Sequence, residues 1–248
     1  MKKKYLIGNM KMNMDYSHLE PYFGDLARVA DNTDNIVGVC VPYVYLELAK
    51  YMLDGTKVLY GAENMYHEDS GAYTGEISAS MLNDFACDLV IIGHSERRSY
   101  FHETDNDVNL KLKKALDNGL TPIMCFGETL EERQNNMAFS VVEKQIMGGL
   151  QGLEYDEISR IIFAYEPVWA IGTGVSATSD QAEEMIAFTK RIIAENFGVK
   201  DTIVLYGGSM KPSNAEELLS KPSIDGGLIG GACLKIDDFE KIINVKVE

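Results

Sequence analysis

The chain has 248 residues, of which 46% are hydrophobic and 25% charged, and its formal net charge is −15 at pH 7. Because no linker or low-complexity segment divides it, we expect one soluble globular domain over residues 1–248. The negative charge disfavours a nucleic-acid partner, whose binding needs clustered Lys and Arg. The longest apolar runs are far shorter than the roughly 20 residues that cross a bilayer, so no membrane partner is expected.

The four cysteines are isolated and form no CxxC pair. This pattern is typical of reduced thiols and predicts a cytoplasmic protein rather than a secreted one stapled by disulfides. The basic N-terminus is followed by an apolar stretch that is too short for the core of a signal peptide. The cysteines are Cys40, Cys87, Cys125 and Cys233.

Strand-sized β-branched runs recur along the chain, and they are continuous rather than alternating, as expected of strands that are covered on both faces. Helical patterns lie between them, with helix starts predicted at Ser78, Asp107 and Ser179 and helix ends at Gly119 and Gly198. The runs are Lys4–Gly8, Ile36–Val41, Lys57–Gly61, Leu89–Gly93, Thr121–Phe126, Arg160–Tyr165, Thr202–Tyr206 and Gly227–Gly230.

A strand and a helix therefore alternate about eight times, at roughly 30 residues for each unit. This spacing predicts an α/β protein with a (β/α)₈ barrel. The structural alternative is a doubly wound open sheet. That fold would need a nucleotide-type glycine loop after an early strand, and Leu6–Lys11 is not one.

A barrel of this kind carries its functional residues just past the C-terminal ends of its strands. Polar residues and glycines follow five of the predicted strands at these points, so side chains that are distant in sequence would meet on one face. They are Asn9, Lys11, His94, Glu166, Ser209, Gly230 and Gly231.

The segment that follows the sixth strand combines a carboxylate with an apolar flap. Glu166 precedes Pro167, which favours an extended conformation at the carboxylate. Val168–Ile171 are apolar, and Gly172 and Gly174 can absorb large changes of dihedral angle. A base, a flap and a flexible far hinge suit chemistry that is shielded from water.

Two further sites are predicted near the ends of the first and fourth strands. In an extended chain, Asn9 and Lys11 point to the same side and Met10 to the other. His94 ends an apolar strand, and Ser95 begins a short helix whose positive end faces the imidazole. This arrangement is expected to lower the pKa of His94 and to keep the ring neutral.

The C-terminal region is rich in glycine, with pairs at 207–208, 226–227 and 230–231. Loops after the seventh and eighth strands of a barrel frequently hold phosphate through backbone N–H groups. Neutral donors of this kind would hold an anion despite the overall negative charge. Dinucleotide, P-loop, zinc and nucleophilic-serine motifs are absent from the sequence, so no metal or cofactor is expected.

Five motifs, in order, make the chain similar to the triosephosphate isomerase family over essentially its full length. The resemblance implies a (β/α)₈ barrel that interconverts dihydroxyacetone phosphate and D-glyceraldehyde 3-phosphate, in glycolysis and gluconeogenesis, without cofactor or metal. The motifs are Gly8–Asn13, Gly93–Arg98, Ala164–Gly174, Tyr206–Ser209 and Gly227–Gly231.

The resemblance also implies roles for individual residues. Glu166 is the base, His94 the electrophile, and Asn9 and Lys11 bind substrate. A homodimer is implied, with Thr74 at the tip of a loop that inserts into the partner. The residues implied to bind phosphate are Gly172, Ser209, Gly230 and Gly231. The residues implied to form a lid are Pro167, Val168, Trp169, Ala170, Ile171, Gly172 and Thr173.

Four positions depart from the usual pattern of the family. Met10 stands where tryptophan is common, Glu63 where glutamine is usual, Val175 for a frequent lysine, and Cys233 for a frequent serine. Cys233 is expected to make the protein sensitive to thiol reagents. Two rival functions are a different phosphate-binding barrel enzyme and a catalytically inactive barrel kept as a binding protein.

Overall fold

Eight parallel strands close into a barrel in the computed structural model, which describes residues 3–170 and 177–247. Each strand pairs with its neighbours in chain order, and the first pairs with the last, with Tyr5 opposite Gly226. The strands are β1 (Tyr5–Asn9), β2 (Ile36–Val41), β3 (Val58–Ala62), β4 (Leu89–Ile92), β5 (Thr121–Phe126), β6 (Ile162–Tyr165), β7 (Ile203–Tyr206) and β8 (Gly226–Ile229).

The predicted barrel is confirmed, and the closed ladder between β1 and β8 excludes the open sheet. All eight predicted runs contain a strand, and the bounds of β2 and β5 agree with the prediction. The other six differ by one or two residues at one end or by one residue at both ends. For example, β6 begins at Ile162 rather than at Arg160, because the helical turn before it extends through Ser159 and Arg160.

Helices connect the strands on the outside of the barrel. Within the described residues, no helix combines the length and apolar character needed to cross a membrane. The α-helices are α1 (Tyr16–Asp31), α2 (Leu46–Leu53), α3 (Ala79–Asp84), α4 (Ser95–Tyr100), α5 (Asp105–Asp117), α6 (Leu130–Gln134), α7 (Ala138–Gly149), α8 (Tyr155–Ile158), α9 (Ser179–Phe197), α10 (Ala215–Leu219) and α11 (Ile236–Ile243).

Most of the predicted helix boundaries are confirmed by the capping groups. Ser78 caps α3 by accepting a hydrogen bond from the backbone N–H of Met81. Gly198 ends α9 in a left-handed conformation, with φ at 75°. The start at Asp107 is wrong by two residues, because Thr104 is the cap of α5 and Asp107 is the residue that returns its hydrogen bond.

The core has two layers, which explains why the strands are apolar on both faces. Outward-pointing side chains pack against the helices, whereas alternate residues fill the barrel. The alternation continues past the strand ends, so that Asn9, Glu166 and Gly230 follow interior residues by two positions. The interior residues are Ile7, Cys40, Leu89, Ile91, Ile123, Cys125, Ile162, Ala164, Leu205 and Leu228.

Candidate active site

Glu166 lies at the C-terminal end of β6 and is almost completely buried, with 1% of its surface exposed. Its Oε2 accepts a hydrogen bond from the backbone N–H of Ser95 at 2.8 Å, and its Oε1 accepts one from the Ser95 hydroxyl at 3.1 Å. His94 Nε2 lies 2.9 Å from the same Oε1. The carboxylate from the sixth unit and the imidazole from the fourth are therefore in direct contact.

Glycines give Glu166 the space that it occupies. A Cβ atom at Gly127 would lie 1.7 Å from the carbonyl oxygen of Glu166, and one at Gly207 would lie 2.9 Å from its Cγ. The first of these distances is impossible for any side chain. The chain after β5 and the chain after β6 can approach each other only because position 127 has no side chain.

His94 is the N-cap of α4, which confirms that the imidazole faces the start of a helix. Its Nδ1 accepts a hydrogen bond from the backbone N–H of Glu96 at 3.2 Å. A backbone N–H can only donate, so Nδ1 carries no proton in this arrangement. The ring proton therefore resides on Nε2, the nitrogen that faces Glu166.

The contact between His94 and Glu166 shifts both groups toward their charged forms. Burial acts to lower the pKa of His94, but the charge and hydrogen bond of Glu166 outweigh it, so the pKa is raised. Burial acts to raise the pKa of Glu166, and His94 and Ser95 together lower it. The expected lowering of the His94 pKa is wrong for this arrangement, because the prediction did not include the contact between the carboxylate and the ring.

Asn9 and Lys11 reach the same cavity by a different backbone path from the predicted one. Lys11 is not extended but left-handed, with φ at 53°, and its N–H donates to Asn9 Oδ1 at 3.1 Å. The Lys11 ammonium donates to Glu96 Oε1 at 2.5 Å. Met10 is fully buried in the helix-facing layer, so the residue between them affects packing as expected.

A cavity of about 900 Å³ opens at this end of the barrel. Glu166 is absent from its wall, since the carboxylate lies behind His94 and Ser95. Gly172 lies outside the described residues. Of the predicted site residues, the wall contains Asn9, Lys11, His94, Val168, Ser209, Gly230 and Gly231.

Over the described parts of the chain, no three His, Cys, Asp or Glu side chains gather in a way that could hold a metal ion. The wall of the cavity instead combines hydrogen-bond donors, an imidazole and lysines with the carboxylates of Glu96 and Asp238. Such a set can bind an oxyanion and move protons at a neighbouring carbon.

The family model of triosephosphate isomerase matches residues 4–246. The chain belongs to the triosephosphate isomerase family. It is 46% identical to the triosephosphate isomerase of Alkaliphilus metalliredigens, over 98% of this chain and all of the relative. It is 47% identical to that of Clostridium novyi, over 98% of this chain and 99% of the relative. The crystal structure of triosephosphate isomerase from Bartonella henselae matches with a TM-score of 0.89 at 39% identity, over 98% of both chains.

Glu128, which was not predicted as a site residue, binds the first part of the predicted lid through Trp169. Glu128 is fully buried after β5, and its Oε1 accepts hydrogen bonds from Trp169 Nε1 at 2.8 Å and from the Tyr165 hydroxyl at 3.1 Å. Arg133 also donates to this oxygen, at 2.9 Å. The available signal was the position of Glu128 just past a strand end.

Pro167 and Ala170 are buried, and Val168–Ala170 form a short 3₁₀ turn. Three predicted lid residues, Ile171, Gly172 and Thr173, lie outside the described residues, as does Val175.

Cys233 is not the reactive thiol that the sequence predicted. It is fully buried, its Sγ lies 3.6 Å from the carbonyl oxygen of Asn9, and burial raises its pKa to about 12. A buried thiol with a raised pKa forms little of the reactive thiolate. The predicted sensitivity of Cys233 to thiol reagents is therefore wrong.

A second cavity of about 360 Å³ adjoins the first from the side. The two cavities share Asn9, Lys11, His94 and Glu96 in their linings, so these residues lie between them. Several apolar side chains beside it are exposed to solvent. They are Met12 at 96%, Val44 at 77% and Phe101 at 65%.

Proposed function

We propose that Glu166 and His94 interconvert dihydroxyacetone phosphate and D-glyceraldehyde 3-phosphate through an enediolate. The contact between His94 Nε2 and Glu166 Oε1 at 2.9 Å, behind a cavity with glycine-lined walls, carries this proposal. Membership of the triosephosphate isomerase family supports the choice of substrate and the place of the reaction in glycolysis and gluconeogenesis. The single barrel domain is proposed to span residues 1–248.

In the proposed reaction, the Glu166 carboxylate leaves Ser95 and His94 and turns into the cavity toward the substrate. It removes a proton from the carbon beside the carbonyl group and returns a proton to the neighbouring carbon. The carbonyl oxygen becomes negative in the enediolate, and the Nε2–H of His94 donates to it. His94 gives its Nε2 proton to this oxygen and takes a proton back from the neighbouring hydroxyl oxygen, so that no proton or electron is gained or lost.

The same movement would change the pKa of His94. Burial lowers this pKa and the charge of Lys11 lowers it further, whereas Glu166 makes the largest contribution to the rise and Glu96 a smaller one. Once Glu166 turns toward substrate, burial, the charge of Lys11 and the backbone N–H of Glu96 favour the neutral ring, and the Glu96 carboxylate is the remaining group that opposes them. We propose that His94 acts as a neutral donor during turnover even though its pKa is raised in the resting arrangement.

The phosphate group is proposed to bind backbone N–H groups at Gly230 and Gly231 and the backbone or hydroxyl of Ser209. Gly172 is proposed to add a donor from the lid. Asn9 and Lys11 hold the triose near the base, and the Lys11 ammonium can exchange Glu96 for a substrate oxygen. The lid from Pro167 to Thr173 is proposed to close over the site and exclude water.

The test is turnover of glyceraldehyde 3-phosphate by the purified chain in a coupled assay that detects dihydroxyacetone phosphate. We expect turnover far above the uncatalysed rate. A rate at background level would exclude the proposed function and would favour the inactive barrel. Activity on another sugar phosphate, without activity on the trioses, would favour the different phosphate-binding enzyme.

We also propose that the protein is a homodimer, located in the cytoplasm. The exposed apolar side chains of Met12, Val44 and Phe101 line the second cavity, and a group of exposed apolar side chains at one site is typical of an interface. Thr74 lies at the exposed tip of the loop between β3 and α3, and the partner's copy of this loop is proposed to fill the cavity. The four cysteines are buried free thiols, which supports a reducing compartment.

Replacing Thr74 with arginine should separate the dimer, because a longer, charged side chain would have to be buried in a cavity of about 360 Å³. We expect sedimentation at micromolar concentration to give the dimer mass for the unmodified chain and the monomer mass for Thr74→Arg. Ser220→Arg adds the same charge after α10, away from this face, and should leave the dimer intact. A monomeric mass for the unmodified chain would contradict the proposal.

A further inference from the structure

The inner part of the large cavity is poor in positive charge. The Lys11 ammonium is paired with Glu96 at 2.5 Å, and the Glu166 carboxylate lies just behind the wall. One cation therefore stands against two carboxylates where a doubly negative phosphate is to arrive. The whole chain adds to the repulsion, because its net charge is −15.

Two lysines in the outer part of the same wall supply the missing charge. Lys211 follows β7 and Lys235 precedes α11, and both side chains are exposed. Within residues 3–170 and 177–247, neither ammonium group has a hydrogen bond or an ion pair. The acidic residues in the described part of this wall are Glu96 and Asp238. Both lysines are therefore available to an arriving anion, whereas Lys11 must first release Glu96.

The backbone holds the base of each lysine at the edge of the phosphate-binding loops. The N–H of Lys211 donates to Asn214 Oδ1 at 2.7 Å, and Asn214 Nδ2 donates to the carbonyl oxygen of Ser209 at 3.0 Å. Lys235 is the N-cap of α11, and its carbonyl oxygen accepts a hydrogen bond from the N–H of Phe239 at 3.0 Å. The backbone of each lysine is thus held in place, and its long side chain can reach over the entrance of the large cavity.

We propose that Lys211 and Lys235 form a cationic rim that captures the phosphate dianion of the substrate and passes it to the backbone donors at Ser209, Gly230 and Gly231. This inference rests on the proposed function. The rim does not touch the reacting carbons, so it acts on the encounter and on binding rather than on proton transfer. It gives the site its preference for a doubly charged substrate in a strongly negative protein.

The test compares two double variants that carry the same net charge. Lys211→Gln/Lys235→Gln removes the rim, whereas Lys200→Gln/Lys246→Gln removes two exposed lysines, one before β7 and one after α11, at the opposite end of the barrel. In about 20 mM salt we expect the rim variant to lower kcat/KM by about tenfold. Because salt screens exposed charges, this loss should fall below about twofold in roughly 0.5 M salt.

Three further measurements distinguish a capture role from general damage. The kcat of the rim variant should stay within about twofold of the unmodified value, as expected for a change in binding. The inhibition constant for inorganic phosphate should rise in parallel with the loss of kcat/KM. Lys211→Arg/Lys235→Arg, which keeps the charge, should recover most of the activity.

The inference is overturned if the rim variant and the control variant have the same kcat/KM and the same dependence on salt. It is also overturned if the arginine variant fails to recover activity. Failure of the proposed function is a separate result, because it would show as absent turnover in the unmodified chain. In that case, calorimetric binding of inorganic phosphate to the unmodified chain and to both double variants decides whether the rim binds the anion.

Discussion

Replacing Glu166 with glutamine is expected to lower kcat by about 10³-fold while KM changes by less than about threefold. The side chains have nearly the same shape, and the amide oxygen can still accept a hydrogen bond from Ser95. The amide cannot take a proton from carbon, so the loss falls on the chemical step. Steady-state kinetics with glyceraldehyde 3-phosphate give both constants.

The matched control is Glu131→Gln, which makes the same chemical change at an exposed position in α6. Its kcat should equal that of the unmodified chain. Since Glu166 lies behind the cavity wall and contacts His94, phosphate binding should survive its replacement. If the Glu166→Gln variant keeps a tenth or more of the activity, Glu166 is not the catalytic base.

The barrel and the convergence of the site were predictable because both follow from periodicity. Continuous apolar runs at a regular spacing define eight strands, and the alternation along a strand carries from Ala164 inside the barrel to Glu166 at its mouth. The same alternation places Asn9 two residues after Ile7. These predictions need only the direction of a strand and the knowledge that alternate side chains point to the same face.

The predictions that were wrong or missing concern contacts between units distant in the sequence. Ser95 was assigned only to the start of a helix, yet its N–H and hydroxyl both bind Glu166, 71 residues away. The raised pKa of His94 has the same origin, because it depends on the charge of that carboxylate. The left-handed turn at Lys11 was missed for a local reason, since a lysine gives no signal for positive φ.

Glu63, which stands where glutamine is usual in the family, places a carboxyl group in a largely buried position. It follows β3 and lines the second cavity, with Lys11 from the chain after β1 and Glu96 from α4 facing it. Its Oε1 is buried without a hydrogen-bond partner among the described residues. Burial raises the pKa of Glu63 to about 8, Glu96 adds to the rise, and Lys11 opposes it.

This pKa makes the stability of the fold depend on pH in a defined direction. The folded chain holds the Glu63 proton up to about pH 8, whereas the unfolded chain releases it near the ordinary value of 4.5. Between these values the folded state binds more protons, so stability falls as the pH rises. The stability associated with the protonated carboxyl is fully present below pH 4.5 and is lost as the pH rises through about 8.

Glu63→Gln should therefore be the more stable chain at alkaline pH, by on the order of a few kcal/mol. An amide stays neutral, so the variant lacks the loss of stability that ionisation of Glu63 imposes. Urea unfolding at about pH 5, 7 and 9, at one protein concentration, gives the free energies. The advantage of the variant should grow from the first pH to the last, whereas Glu131→Gln should follow the unmodified chain throughout. If the curves for Glu63→Gln and the unmodified chain stay parallel over this range, the buried carboxyl is not the group that makes the fold sensitive to pH.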